Sequence, residues 1–321
     1  MSQAPLVTIG IPTYNRTRYL PEAIQSVLAQ TYDDFELLII DNASTEDVGS
    51  VVKRFSDPRL KFVRQSTNVG AVRNMNRVIK EARGKYIVIH HDDDIMLPEN
   101  VEKKAAFLEA NPGVGFVHSS FMRIRENGDT VDEAPNSAVN TGGVETGRDF
   151  FHRALEFNPV GCPTVMAPKA ALEQVGCFDV EVAVAADLPL WLKLSLFFDV
   201  GYIAEPLLNI RLHSGQDSTV YMHGYREAEQ LYSTRMRVLR EFEKQFDWLS
   251  TAQQRFQRNY FCELLKKTDE LSSSGNARTV IGRLAFIVSR RPWLVLHPFA
   301  IRAFACSIEK SLGRQLVRRF S

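Results

Sequence analysis

The sequence predicts an α/β protein with a mostly parallel sheet, helices on both faces and a helical C-terminal extension. Three observations carry this. From Leu6 to Ala110, apolar runs of strand length alternate with segments of helical spacing, as parallel strands and their crossover helices do. The run Tyr86-Ile-Val-Ile89 breaks into His90-His-Asp-Asp-Asp94. Three like charges are costly to bury, so they belong in a polar mouth at the strand's carboxyl end, where open α/β sheets bind ligands. Beyond Tyr221 the strand signal fades, and 225–246 and 252–271 show helical spacing with many charges.

The first strand is Leu6–Ile11, closed by the turn-forming Pro12-Thr-Tyr-Asn-Arg16. Pro21 opens a helix with Leu20, Ile24, Val27 and Leu28 on one face. Glu36–Ile40 is a second strand ending in Asp41-Asn-Ala-Ser44, and a helix follows through Val51, Val52 and Phe55. Leu60–Val63 is a third strand, turned by Asn68-Val-Gly70. Val72, Met75, Val78, Ile79 and Ala82 then share a helical face, with Gly84 as C-cap. After the acidic strand comes a helix over Glu99–Ala110.

Val114–Val117 is a further strand, and Phe121–Arg125 and Thr130-Val131 flank the hairpin signal Asn127-Gly128. Residues 132–147 have the composition of a mobile loop. Gly161–Met166 reads as a strand, Ala170–Val175 as a helix, Leu188–Phe198 as a helix with Pro189 in its first turn, and Gly201–Leu212 as an extended stretch. Ser272-Ser-Ser-Gly-Asn276 is expected to be a linker. The domains predicted are thus 1–220 and a helical region 221–321.

A net charge of +1 gives no whole-chain attraction to nucleic acid. The N-terminus lacks a signal-peptide pattern, and no apolar run is long enough to span a bilayer. Cys162, Cys177, Cys262 and Cys306 lack zinc-site spacing and fit a reducing cytoplasm. From Arg283 onward eight Lys or Arg face one acid, Glu309, a net of +7, interleaved with Trp293, Phe299, Phe304 and Phe320. That composition suits either a helix on an anionic membrane surface or a subdomain with a solvated basic face. The acids after Ile89 invite a hard divalent cation, or else cap the helix near Pro98. Without a Gly-x-Gly-x-x-Gly after strand one, a dinucleotide oxidoreductase is excluded, as is a P-loop protein.

Taken together, Ile11-Pro-Thr-Tyr-Asn-Arg16, Ile40-Asp-Asn-Ala-Ser44, Asn68-Val-Gly-Ala-Val-Arg-Asn74 and the acidic strand end follow one another in an order that resembles the inverting family 2 glycosyltransferases. A fifth stretch, Val175-Gly-Cys-Phe-Asp179 to Ala186-Asp-Leu-Pro-Leu-Trp191, looks like that family's acceptor side. The resemblance covers residues 5–220 and implies the GT-A fold and a nucleotide-diphosphate sugar donor, UDP-, dTDP- or GDP-linked. It implies a base pocket from Pro12, Thr13 and Tyr14, continued by Asn15 and Arg16. Asp41 would accept from the base ring, with Asn68, Arg73, Asp92 and Arg211 on the donor side. Singly, these residues read equally well as a tight turn, a helix N-cap and solvated arginines.

The family's Asp-x-Asp pair is altered here. In register, His91 stands at the first acid, Asp92 at the spacer and Asp93 at the second. The resemblance therefore implies Mn²⁺ or Mg²⁺ on Asp93, with His91 as a further ligand or a hydrogen-bond partner of the ribose, His213 as a further ligand near the phosphates or a surface-loop histidine, and His90 as structural. Asp187 would be the base that takes the acceptor's proton, or the N-cap of its helix; the acid that usually precedes it is Ala186. Trp191 is expected in the core. The implied acceptor is a saccharide or lipid-linked hydroxyl, in surface polysaccharide or glycolipid synthesis. The expected location is cytoplasmic, with 283–321 on the inner membrane face. The competing expectation is a non-catalytic nucleotide-sugar-binding or scaffold protein of the same fold.

Overall fold

The computed structural model describes residues 4–134, 142–182, 185–215, 225–274, 277–291, 294 and 300–301. The chain divides into two compact units, Met1–Ser214 and Gly215–Ser321.

In the first unit the chain runs β1 (Val7–Thr13), α1 (Leu20–Leu28), β2 (Phe35–Asp41), α2 (Val48–Val52), β3 (Leu60–Arg64), α3 (Ala71–Glu81) and β4 (Tyr86–Ile89). Then come β5 (Ile95–Met96), α4 (Asn100–Ala110), β6 (Val114–Arg125), β7 (Thr130–Ala134), β8 (Gly143–Glu145) and α5 (Gly147–Glu156). A 3-10 turn at Cys162–Thr164, β9 (Met166–Pro168), α6 (Lys169–Val175), α7 (Leu188–Phe197) and β10 (Asp199–Leu212) complete it. The sheet order is β3-β2-β1-β4-β9-β6-β10-β5, with β7 on β6 and β8 on β10. β3, β2, β1 and β4 are parallel, as are β6 and β10; β9 runs antiparallel between β4 and β6.

The parallel register decides where the chemistry sits. Thr13 pairs with Asp41, and Asp41 with Arg64, so three strands end level. Beneath them Val7, Ile9 and Ile11 of β1 are fully buried with Leu37 and Ile39 of β2 and Val88 of β4. The opposite end holds the buried Glu36, which accepts from Thr8 Oγ1 at 2.8 Å, Arg83 Nε at 2.8 Å and Lys61 Nζ at 3.0 Å. Burial pushes its carboxyl up, but Lys61, Arg83 and Thr8 outweigh this and hold it at about 2.

Several local expectations change. Gly84 is not the helix cap: α3 ends at Glu81 with Ala82 as C-cap. Gly84 is instead where the chain crosses β1. A Cβ there would lie 2.5 Å from the Thr8 nitrogen, while its own N–H donates to Thr8 Oγ1 at 2.9 Å. Gly84→Ala is expected to cost about 1–3 kcal/mol, since backbone must move to admit the methyl. A lower denaturation midpoint at unchanged m-value checks this.

The 3-10 turn takes the first part of the expected 161–166 strand. Residues 132–134 complete β7 and 143–145 form β8; 135–141 lie outside the described residues. Helix α5 was not expected. Phe150, Phe151, Ala154 and Leu155 form its buried stripe, and Thr146 caps it by accepting from Asp149 N–H.

The second unit contains α8 (Tyr225–Phe242), α9 (Leu249–Ser274) and α10 (Ala277–Arg290). The expected linker 272–276 is helical through Ser274. Tyr232 centres its core, its ring 5.0 Å from Phe261, 5.8 Å from Phe256 and 5.8 Å from Phe286. Among the described residues no helix is long and apolar enough to cross a membrane. Most of the aromatic-basic tail, residues 302–321 included, lies outside them.

Candidate active site

The acidic run leaves β4 as a tight turn, with Asp94 N–H reaching the His91 carbonyl. It does not cap α4, whose N-cap position is Glu99 with no side-chain bond. In the polar mouth at the end of β4 the acids are little exposed, Asp92, Asp93 and Asp94 being 8%, 7% and 1% exposed. Their burial is compensated locally. Asp93 Oδ2 accepts from Arg16 Nη1 at 2.5 Å and lies 2.9 Å from His213 Nε2. Asp94 Oδ1 accepts the Arg211 N–H at 3.0 Å, and Arg211 Nε donates to the Asp93 carbonyl at 3.0 Å.

Burial and the neighbouring charges sort the three carboxyls. Burial works against an ionised Asp93, but His91, His213 and Arg16 outweigh it and hold Asp93 below the usual range. Burial, followed by the Asp93 charge, pushes Asp92 up to about 7 and Asp94 well above its ordinary value.

His91, Asp93 and Asp94 each present one ligand atom, all within 4.8 Å of one another. Asp94 Oδ2 is buried with no hydrogen-bond partner, and the nearest His91 nitrogen is 3.7 Å away. A buried carboxylate oxygen without a partner is costly, and a divalent cation removes that cost. The donor set of two carboxylates and one imidazole suits Mn²⁺ or Mg²⁺, Mn²⁺ the more readily because of the imidazole. Asp94 was not singled out from sequence as a ligand. His213 touches Asp93 rather than completing that trio, its ring lying 5.0 Å from that of Tyr19. His90 is fully buried, and burial lowers its ring to about 3, so it is neutral and structural.

Arg211 is only 1% exposed. Besides Asp93 it binds Glu22 Oε2 at 2.6 Å and the Glu126 carbonyl at 2.9 Å. Its bonds to Asp93 and Asp94 therefore brace the acid turn.

The strand ends beside the acids form a second group. Pro12 is half-buried, Thr13 is buried, and Tyr14 is 42% exposed. Asp41 is fully buried; its Oδ1 accepts the Ser44 N–H at 3.0 Å while Oδ2 makes no hydrogen bond and lies 3.6 Å from Arg64. It is not a helix N-cap, since Asp47 caps α2. Asn15 takes a left-handed φ of 53° and ties its loop to the next, its Oδ1 accepting from Thr45 N–H at 2.8 Å.

Asn68 accepts from Asn42 Nδ2 at 2.9 Å and Gly70 N–H at 2.8 Å, fixing a turn whose Gly70 has φ 89°, a conformation that suits glycine. Arg73 is exposed on α3. Asn74 beside it is buried, donating to the Ile40 carbonyl at 3.0 Å.

Asp187 stands at the N-cap position of α7 but makes no capping bond. Its Oδ2 accepts from Trp191 Nε1 at 3.1 Å and Asn158 Nδ2 at 3.2 Å. Trp191 is in the core as expected, 2% exposed and packed on Phe116, so the indole is a rigid donor. Burial pushes Asp187 up, with Trp191 and Asn158 pulling the other way. Asn158 had no signal in the sequence, since it lies 29 residues from its partner in an irregular loop. Burial, then the charge of Asp187, then that of Asp94, push the Cys162 thiol well above its ordinary range.

Residues 8–161 match the profile of Glycosyl transferase family 2. An uncharacterized glycosyltransferase of Rickettsia bellii is 31% identical over 234 residues, 73% of this chain and 32% of that protein. One from Haemophilus influenzae is 28% identical, covering 71% of this chain and 72% of the other. The chain thus spans about a third of the length of the first Rickettsia relatives.

Among solved structures, S. aureus TarS 1–349 in complex with UDP-GlcNAc superposes with TM-score 0.59 at 18% identity, covering 95% of this chain and 88% of that one. A mannosyltransferase from Pyrobaculum calidifontis in complex with GDP-Man and Mn2+ gives TM-score 0.56 at 17% identity, covering 97% and 87%. At such identities the likeness carries the fold, the GT-A arrangement expected from the sequence. By its matched domain and its glycosyltransferase relatives, the chain belongs to glycosyl transferase family 2.

Proposed function

We propose that the first unit moves a sugar from a nucleotide-diphosphate sugar to an acceptor hydroxyl with inversion at the anomeric carbon. The observation that carries the proposal is the buried acid turn beside the level ends of parallel strands, with one carboxylate oxygen left unpartnered. Pro12, Thr13 and Tyr14 form the wall for the base, Tyr14 offering an exposed ring face. Asp41 Oδ2 is the acceptor for a base N–H, and the Thr13 hydroxyl lies at the same level on β1. Arg16 and Arg73 supply positive charge on the donor side.

Asp93, Asp94 and His91 would hold Mn²⁺ or Mg²⁺, with His213 against Asp93. A cation bound there supplies neutralisation of charge on the leaving diphosphate. Asp187 takes the acceptor proton, held in place by Trp191 and Asn158. The donor is UDP-, dTDP- or GDP-linked. UDP-GlcNAc and GDP-Man in the two structural neighbours support that class. The acceptor is a saccharide or a lipid-linked saccharide of surface polysaccharide or glycolipid synthesis, reached from the cytoplasmic membrane face.

The full chain, incubated with Mn²⁺ and each of a panel of nucleotide sugars, should slowly release nucleoside diphosphate from one of them. Binding without release across the panel would mark a non-catalytic sugar-nucleotide-binding protein instead.

A further inference from the structure

The second unit carries a basic groove that no part of the transfer reaction uses. It has a volume of about 570 Å³ and lies between α8 and the end of α10, lined by Tyr232, Ser233, Met236, Arg237, Arg240, Glu241 and Arg290. Ser233, Arg237 and Arg240 follow one another at helical spacing and are all exposed, whereas Tyr232 and Met236 are buried beneath them. Arg290, in the last turn of α10, faces in from the other wall. Three guanidinium groups against one carboxylate leave the groove cationic. It has a firm floor, because Tyr232 is locked by Phe256, Phe261 and Phe286, and its hydroxyl accepts from Gln257 at 3.1 Å.

Guanidinium groups set in a concave wall match the oxygens of a phosphate ester, each able to give two parallel hydrogen bonds. The chain that continues from Arg290 adds Arg291, Arg302, Lys310, Arg314, Arg318 and Arg319 against Glu309 alone. Such a segment is drawn to an anionic bilayer. We propose that this groove binds the phosphate of an anionic lipid headgroup and seats the second unit on the membrane surface. Electrostatic attraction brings the chain to the bilayer, and the groove then grips one headgroup.

Full-length protein co-sedimented with phosphatidylcholine vesicles containing phosphatidylglycerol tests this. Replacing Arg237, Arg240 and Arg290 together by Gln should lower partitioning about 100-fold, as expected for three basic residues at such a surface. All three are exposed, where substitutions cost little stability, so the melting temperature should move only slightly, which separates lost binding from lost folding. The all-Lys version keeps the charge but not the paired donors, and should lose at least about tenfold. Partitioning of the Lys variant equal to the parent's would reduce the groove to diffuse charge and overturn the proposal. So would a Gln variant that sediments like the parent, or a groove that takes a soluble polyphosphate while vesicles do not bind. None of these outcomes depends on the donor site, since none reads sugar transfer.

Discussion

Asp187→Asn is expected to reduce sugar transfer by about 10³-fold while leaving donor affinity within about twofold. A positioned base contributes on the order of 10²–10⁴ in rate, and an amide of the same shape cannot accept a proton. Binding should survive because the donor's contacts are placed on Pro12, Thr13, Tyr14, Asp41 and the acid turn, not on α7. Folding should survive because the new Oδ1 can still accept from Trp191 Nε1, which now donates at 3.1 Å.

The acid limb of the parent's kcat/KM profile should lie above the ordinary carboxylate range near ~3.9, because burial raises Asp187. The sign follows from the charged form being the base: activity rises with pH through the folded pKa. Asn158 donates to that charged form. Asn158→Ala should therefore move the limb to higher pH and lower kcat by about tenfold with little change in KM. A merely structural asparagine would leave the limb in place. Unchanged turnover in Asp187→Asn would remove the base.

Asp93→Asn is expected to weaken nucleoside diphosphate binding about 100-fold in Mn²⁺ and hardly at all in EDTA. Asp93 is the carboxyl held ionised by its surroundings, with Arg16 and His213 on one oxygen. Its neighbour Asp94 is pushed the other way. Losing Asp93 removes the anionic ligand that Arg16 and two histidines, His91 and His213, are arranged to keep charged. It also frees Arg16, so a modest loss of stability should accompany the loss of binding, on the order of 1–3 kcal/mol for a broken charge-assisted bond. Equal affinity in Mn²⁺ and EDTA for the parent would place the diphosphate on Arg16 and Arg73 alone.

Much of this was legible in the chain because it is local. Strand runs such as Tyr86–Ile89 state their own burial, and the polar residues after each run mark the strand ends that the parallel register then levels. The rest depends on contacts across the fold. Asp94 looks like any acid of the run until the turn at His91 brings it beside Asp93 and Arg211 fixes its other oxygen from 117 residues away.

Arg211 reads as a donor-side arginine, yet it is almost fully buried and its guanidinium is engaged by the Asp93 carbonyl, Glu22 and the Glu126 carbonyl. Asp187 looks equally like a helix cap; only Trp191 and Asn158 distinguish the two roles. The three carboxylates are more buried than the sequence alone suggests, because Arg16 and His213, distant in sequence, supply the compensation. Helix α5 escaped notice because its stripe of Phe150, Phe151, Ala154 and Leu155 is short and starts beside a glycine-rich loop.

Calorimetric titration of the protein with UDP and with GDP, each in Mn²⁺ and again in EDTA, tests the central claim most directly. If the acid turn is a cation site for a sugar donor's phosphates, one of the two nucleotides should bind in Mn²⁺ and lose about 100-fold in EDTA. If neither nucleotide binds in Mn²⁺, or one binds equally well in both, then Asp93, Asp94 and His91 hold no cation for a diphosphate and the assignment fails.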